Sequence, residues 1–157
     1  MTPCALKPSI SPTTAIMDKL NSHPLYCFLN ADEITLLKAV GKSVTFVAHE
    51  KLISIGERTR DIICLEEGSV SVQVEDIEGA VHEVARIHEG NLVGEMNFIV
   101  PTRRTANVVA LTEVETHVYP YNELCKLLEE NPSLAAKVFA ALNLQLIDKY
   151  LGMITPD

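Results

Sequence analysis

Gly56, Gly68, Gly79 and Gly90 recur eleven or twelve residues apart, and short β-branched runs fill the intervals between them. A ladder of short strands joined by tight turns requires that spacing, because glycine enters left-handed backbone without steric cost. The clearest strand is Ser69-Val70-Ser71-Val72-Gln73-Val74-Glu75, whose strict alternation puts three valines on one face. Asp76-Ile77-Glu78-Gly79 closes it as a hairpin turn, and Val81 to Ile87 returns. Two further runs, Ala106 to Leu111 and Val114 to Tyr119, read as strands. From Ser43 onward the pattern predicts a mainly β chain, a β-roll or jelly roll (double-stranded β-helix).

Helices are expected on both sides of this ladder. Asp18-Lys19-Leu20 starts a short turn that Pro24 breaks, and Ala31 to Val40 puts Ile34, Leu37 and Val40 on one face with Gly41 as a stop. After the strands, Tyr121 to Glu130 forms one helix, and Asn131-Pro132 supplies an N-cap with proline at the first helical position of the next. That last helix runs to about Leu151 and carries Leu134, Ala135, Val138, Phe139, Leu142, Leu146, Ile147 and Tyr150, more than a single apolar stripe. Such a helix needs two neighbours, its own barrel and either a partner subunit or a bound ligand. A homodimer through the C-terminal helix is therefore expected.

The chain has 157 residues, 47% hydrophobic and 22% charged, enough for one soluble domain with a real core. Residues 1–16, with three prolines, are expected to form a disordered tail, and 17–157 the domain. No apolar run reaches the length of a membrane span and no secretory leader is present, so a cytoplasmic location without membrane insertion is expected. The net charge of −8 argues against nucleic acid as a partner, because the phosphate backbone repels such a surface. It also means that an anionic ligand must be captured by a local positive site. Cys4, Cys27, Cys64 and Cys125 form no C-x-x-C pair, so idle thiols are expected, and neither a zinc site nor a redox motif.

The functional signal lies in residues 94–106, Gly-Glu-Met-Asn-Phe-Ile-Val-Pro-Thr-Arg-Arg-Thr-Ala. A short helix start after Gly94 offers backbone N–H groups to an anion. Arg104, nine residues after Glu95, can grip two phosphate oxygens with its planar fork. Glu95 can only accept, which suits a sugar hydroxyl. This stretch resembles the phosphate-binding cassette of the cyclic-nucleotide-binding family, which includes the catabolite activator protein and kinase regulatory subunits. The resemblance extends over about residues 20–150 and includes Ile55-Gly56-Glu57, the run Ile62 to Val72 around Gly68, and Ile87 to Glu95 around Gly90. It implies that Arg104 pairs with the cyclic phosphate and that Glu95 accepts from the ribose 2′-hydroxyl. Gly94 allows close approach, and the N–H groups of Met96, Asn97 and Thr105 donate to the phosphate. Val72, Val84 and Ile87 are the implied contacts for the purine. Asn97 stands where the family has a small residue, and the proline that usually precedes the arginine is displaced to Pro101; both read as modifiers of affinity.

The resemblance implies a regulatory sensor that binds a cyclic mononucleotide, cAMP ahead of cGMP, with binding coupled to repositioning of the C-terminal helix. No helix-turn-helix follows that helix, so the output is expected to pass through dimerisation, a protein partner or an effector. Thr105 leaves cGMP open. The alternative is a degenerate member that binds no nucleotide and acts as a dimerisation or protein-interaction module. An enzyme is not expected, nor a cofactor or a metal: His49, His82, His88 and His117 stand singly, and no catalytic constellation is present.

Overall fold

The computed structural model describes residues 24–154. The expected tail at 1–16 and the turn at Asp18 lie outside these residues. The chain divides into two units, one from Val40 to Leu124 and the other from the segments on either side of it.

The first unit is the β ladder. Its strands are β1 (Lys42–Phe46), β2 (Lys51–Ile53), β3 (Ile62–Glu67), β4 (Ser69–Glu75), β5 (Val81–His88), β6 (Leu92–Val93), β7 (Asn107–Ala110) and β8 (Val114–Tyr119). They form two antiparallel four-stranded sheets in the orders β1-β8-β3-β6 and β2-β7-β4-β5, not closed into one barrel. This is the mainly β roll that the glycine spacing predicts. All four spaced glycines have positive φ, between 86° and 92°. The hairpin after β4 is held by the Asp76 side chain, which accepts from the backbone N–H groups of Glu78 and Ala80 at 2.9 Å.

Both sheets contribute to one core. Ile63 and Leu65 of β3, Val93 of β6 and Val114 of β8 pack with Ile53 of β2, Val70 of β4, and Val108 and Ala110 of β7. Ile63 and Leu65 of β3, and Val108 and Ala110 of β7, stand two apart as alternation requires, while on β4 both Val70 and the neighbouring Ser71 are buried. One irregularity was not foreseen. Val72 pairs with Ala85 and Gln73 with Glu83, so Val84 is skipped and β5 carries a bulge there.

The second unit is helical. Helix α1 (Ala31–Val40) starts at a reciprocal cap: Asn30 Oδ1 accepts from the Glu33 N–H at 2.9 Å, and Glu33 Oε1 accepts from the Asn30 N–H at 3.0 Å. Leu37 is buried, with Ile34 and Val40 half-buried as expected. The cassette forms the short helix α2 (Glu95–Ile99) inside the β unit. Helix α3 (Tyr121–Glu130) follows β8, and α4 (Pro132–Ile154) ends three residues beyond the expected stop. Pro132 does open α4, and the Asn131 carbonyl accepts the first helical bond from Ala135. The Asn131 side chain, however, donates back to the Leu127 carbonyl at 2.9 Å and so closes α3. On α4, Leu134, Val138, Ala141 and Leu142 are buried, while Phe139, Ile147 and Leu151 are exposed by 45%, 44% and 48%.

Among the described residues no helix is long and apolar enough to cross a membrane, and no cluster of three metal-ligating side chains occurs. Cys64 and Cys125 are free thiols, as expected. Cys27 is disulfide-bonded, which corrects the expectation of idle thiols at that position.

Candidate functional site

The cassette begins where β6 ends. Gly94 sits in left-handed backbone at φ 78° and ψ 6°, and this turn swings the chain from the sheet into α2. The first-turn N–H groups of a helix have no acceptor within it, so those of α2 lie outside its ladder. Glu95 opens the helix and is 2% exposed. Met96 is exposed and Asn97 half-buried.

Residues 100–106 then return toward β7. Their path is set by pairing with the turn after β2: the Arg104 N–H donates to the Glu57 carbonyl at 2.8 Å, and the Gly56 N–H donates to the Arg104 carbonyl at 2.9 Å. Asn107 adds a side-chain contact, accepting from the Ile55 N–H at 2.8 Å. Arg103 is exposed and donates to the Gly56 carbonyl at 2.8 Å. Arg104 points the other way and is only 4% exposed.

The Arg104 guanidinium is the centre of the site. Its Nε donates to Thr59 Oγ1 at 3.0 Å, its Nη1 to the Gly94 carbonyl at 2.9 Å and to Asn97 Oδ1 at 3.4 Å, and its Nη2 to the Asp61 carbonyl at 3.0 Å. Burial pushes its pKa below the ordinary arginine value, and the carboxylates of Asp61, Glu57 and Glu95 oppose that shift. A guanidinium so surrounded stays charged. Glu95 and Arg104, nine residues apart in the chain, are thus both buried beside the Gly94 turn.

Asn97 bridges the cassette internally. Its Nδ2 donates to the Thr102 carbonyl at 2.7 Å and to Thr102 Oγ1 at 3.3 Å, while its Oδ1 faces Arg104. Thr105 is exposed. Of the three residues assigned to the purine, Val72 and Ile87 are half-buried against the β core, and Val84, at the bulge, is 58% exposed.

Two residues that sequence reasoning missed join the cassette to the start of α3. Arg60 Nε donates to the Asn97 carbonyl at 2.9 Å, its Nη2 to the Phe98 carbonyl at 2.8 Å and its Nη1 to the Tyr121 hydroxyl at 2.7 Å. The same guanidinium lies 4.0 Å from the centre of the Tyr121 ring. Phe98 meets that ring edge-on at 5.4 Å. Asp61 accepts from Arg104 through its carbonyl, and its carboxylate accepts at 2.9 Å from the Tyr121 N–H, a first-turn donor of α3. The sequence carried one available signal, a charged pair placed directly before a buried strand.

The sequence pattern described as "Cyclic nucleotide-binding domain" matches residues 43–131, more than half of the chain. Solved structures with the same fold include the N-terminal domain of a transcriptional regulator from Streptomyces coelicolor A3(2), 25% identical at a TM-score of 0.71, covering 83% of this chain and 91% of that one. A cyclic nucleotide-binding domain from Methylobacillus flagellatus KT is 21% identical at a TM-score of 0.77, with coverage of 83% and 75%. The regulatory subunit of a cAMP-independent protein kinase A from Trypanosoma cruzi, bound to guanosine, is 27% identical at a TM-score of 0.65 over 79% of this chain. The chain spans 43% of that subunit's length. No curated protein sequence matches the chain at a significant level.

Proposed function

The chain belongs to the cyclic nucleotide-binding domain family, and we propose that it binds a cyclic mononucleotide, cAMP ahead of cGMP, as a regulatory sensor without enzymatic activity. The observation that carries this reading is the burial of one acceptor, Glu95, and one five-donor cation, Arg104, on either side of the Gly94 turn. A ribose hydroxyl needs the first and a cyclic phosphate the second. The first-turn N–H groups of Met96 and Asn97, with that of Thr105, add neutral donors to the phosphate in this reading. Val72, Val84 and Ile87 form the purine side. Thr105, being exposed, leaves its hydroxyl open to the base.

Ligand binding in this proposal repositions the C-terminal helices. Support comes from the Arg60–Tyr121 and Asp61–Tyr121 bonds, which tie the first residue of α3 to the cassette. A change in the cassette that strains these bonds biases the helix between two arrangements. The exposed Phe139, Ile147 and Leu151 on α4 support a homodimer through that helix. A cytoplasmic location, a domain reaching from residue 17 to 157, an effector protein rather than nucleic acid as the next partner, and no cofactor or metal complete the reading.

One feature favours a second reading, an interaction module that binds no nucleotide: the Arg104 fork is already engaged by protein acceptors. A thermal melt with cAMP, cGMP and 5′-AMP separates the two, with Arg104→Ala as control. Ligand at a hundred times its dissociation constant stabilises by ~2.7 kcal/mol, a Tm rise of about 5–11 °C for a chain of this size. A rise with one cyclic nucleotide, abolished in the variant, supports the sensor. A flat response at millimolar ligand supports the interaction module.

A further inference from the structure

We propose that Asn97 competes internally with the ligand phosphate for Arg104, so that it sets the cassette's preference between charged and uncharged ligands. The inference rests on the nucleotide-binding reading above. A guanidinium has five N–H groups, and the four bonds from Nε, Nη1 and Nη2 engage four of them. A two-pronged grip on a phosphate needs two. One remains on Nη2, and the second has to be released from an existing bond.

The Asn97 bond is the one that yields. At 3.4 Å it is the longest of the four and lies outside the range of about 2.7–3.2 Å for a well-formed N–H···O bond. The Gly94 and Asp61 acceptors are main-chain carbonyls, which cannot leave without moving the turn or the start of β3. Thr59 accepts from Nε at 3.0 Å, inside the range of a well-formed bond.

Asn97 is held in its competing position from two sides. Its carbonyl accepts from Arg60 Nε at 2.9 Å, and its side-chain amide nitrogen is spent on the Thr102 carbonyl at 2.7 Å, which turns Oδ1 toward Arg104. Alanine, glycine or serine at this position has no comparable amide to place there. The contact penalises only the part of a ligand that needs the arginine. A cyclic phosphate has to displace Oδ1, whereas the ribose and the base of a nucleoside do not.

The test is calorimetry of the wild type, Asn97→Ala and Asn97→Asp with cAMP, cGMP, adenosine and guanosine. Asn97→Ala is expected to tighten cyclic-nucleotide binding about tenfold, equal to about 1.4 kcal/mol, and to leave nucleoside binding unchanged. Asn97→Asp, which sets a carboxylate against the guanidinium, is expected to weaken cyclic-nucleotide binding at least about tenfold. Both variants lose the bond to Thr102, so a merely structural role moves both affinities in the same direction and overturns the proposal. An equal change for nucleoside and cyclic nucleotide also overturns it. If no variant binds a cyclic nucleotide, the sensor reading fails, and the latch is judged separately on the ligand-free protein. There, hydrogen exchange of the Arg104 guanidinium that is faster in Asn97→Ala than in wild type sustains the latch, and unchanged exchange removes it.

Discussion

Gly94 and Arg104 fit together only because Gly94 has no side chain: a Cβ there would lie 2.6 Å from Arg104 Nη1 and 3.1 Å from the Asp61 carbonyl oxygen. The residue that turns the chain into the cassette helix is therefore also the one that makes room for the buried Arg104 guanidinium.

Gly94→Ala is expected to combine two penalties, left-handed backbone and collision with the fork. Backbone strain of this kind costs about 1–3 kcal/mol, and the collision displaces Arg104 as well. Gly56→Ala meets only the first, since its φ is 88° but nothing lies within 4 Å of its would-be Cβ. Thermal melts of both variants should show the larger loss at position 94, with ligand response lost there and kept in Gly56→Ala. Equal losses would mean that the space beside Arg104 carries no weight.

Arg60 is expected to hold α2 and α3 together, and not merely to decorate the surface. Arg60→Ala removes bonds to two carbonyls, one hydroxyl and an aromatic face at once. A loss of about 2–4 kcal/mol is expected, since bonds to charged groups contribute about 1.5–3 kcal/mol each and are not additive. Tyr121→Phe deletes the hydroxyl that accepts from Arg60 and should cost about 1.5–3 kcal/mol. Denaturant unfolding of both single variants and the double variant forms a cycle. Strict additivity would refute a coupled clasp.

Acid should loosen the start of α1 through Glu33. The Asn30 N–H and then the Lys137 ammonium, 2.8 Å away, hold its carboxyl below the ordinary 4.5. A depressed acid contributes stability that is full above its unfolded pKa and is lost as pH falls through its lower folded value. Glu33→Gln should therefore lower stability near neutrality and flatten the fall below about pH 4.5. Urea titrations across that range read both effects; an acid limb as steep as in wild type contradicts this.

Cys64 offers a chemical reporter of the β core. Burial, with Glu66 adding to it, pushes its thiol up to about 12, and only the thiolate reacts. Iodoacetamide at mildly alkaline pH should label Cys125, which is half-buried, and spare Cys64 until the protein unfolds. Labelling of both at equal rates in the native protein would rule out the sealed environment between β6 and β8.

The β ladder and the principal pair were legible in the residues themselves. Glycine spacing marks turns because few other residues take positive φ cheaply, and valine alternation marks a buried face because successive side chains point opposite ways. Glu95 and Arg104 stood out because so few side-chain types can serve a sugar hydroxyl and a phosphate. The clasp was not legible. Arg60 reaches carbonyls 37 and 38 residues away and a hydroxyl 61 residues away, and a main-chain acceptor leaves no mark on residue type. The bulge at Val84 was equally hidden, since a slipped register leaves composition unchanged. So the chain's local pattern determined the strands, their inward faces and the charged pair. Only the closed tertiary structure decided which acceptors occupy Arg104, that Asn97 turns its oxygen toward it, and that Tyr121 is tied to the cassette, because those contacts exist only once distant segments are brought within bonding distance.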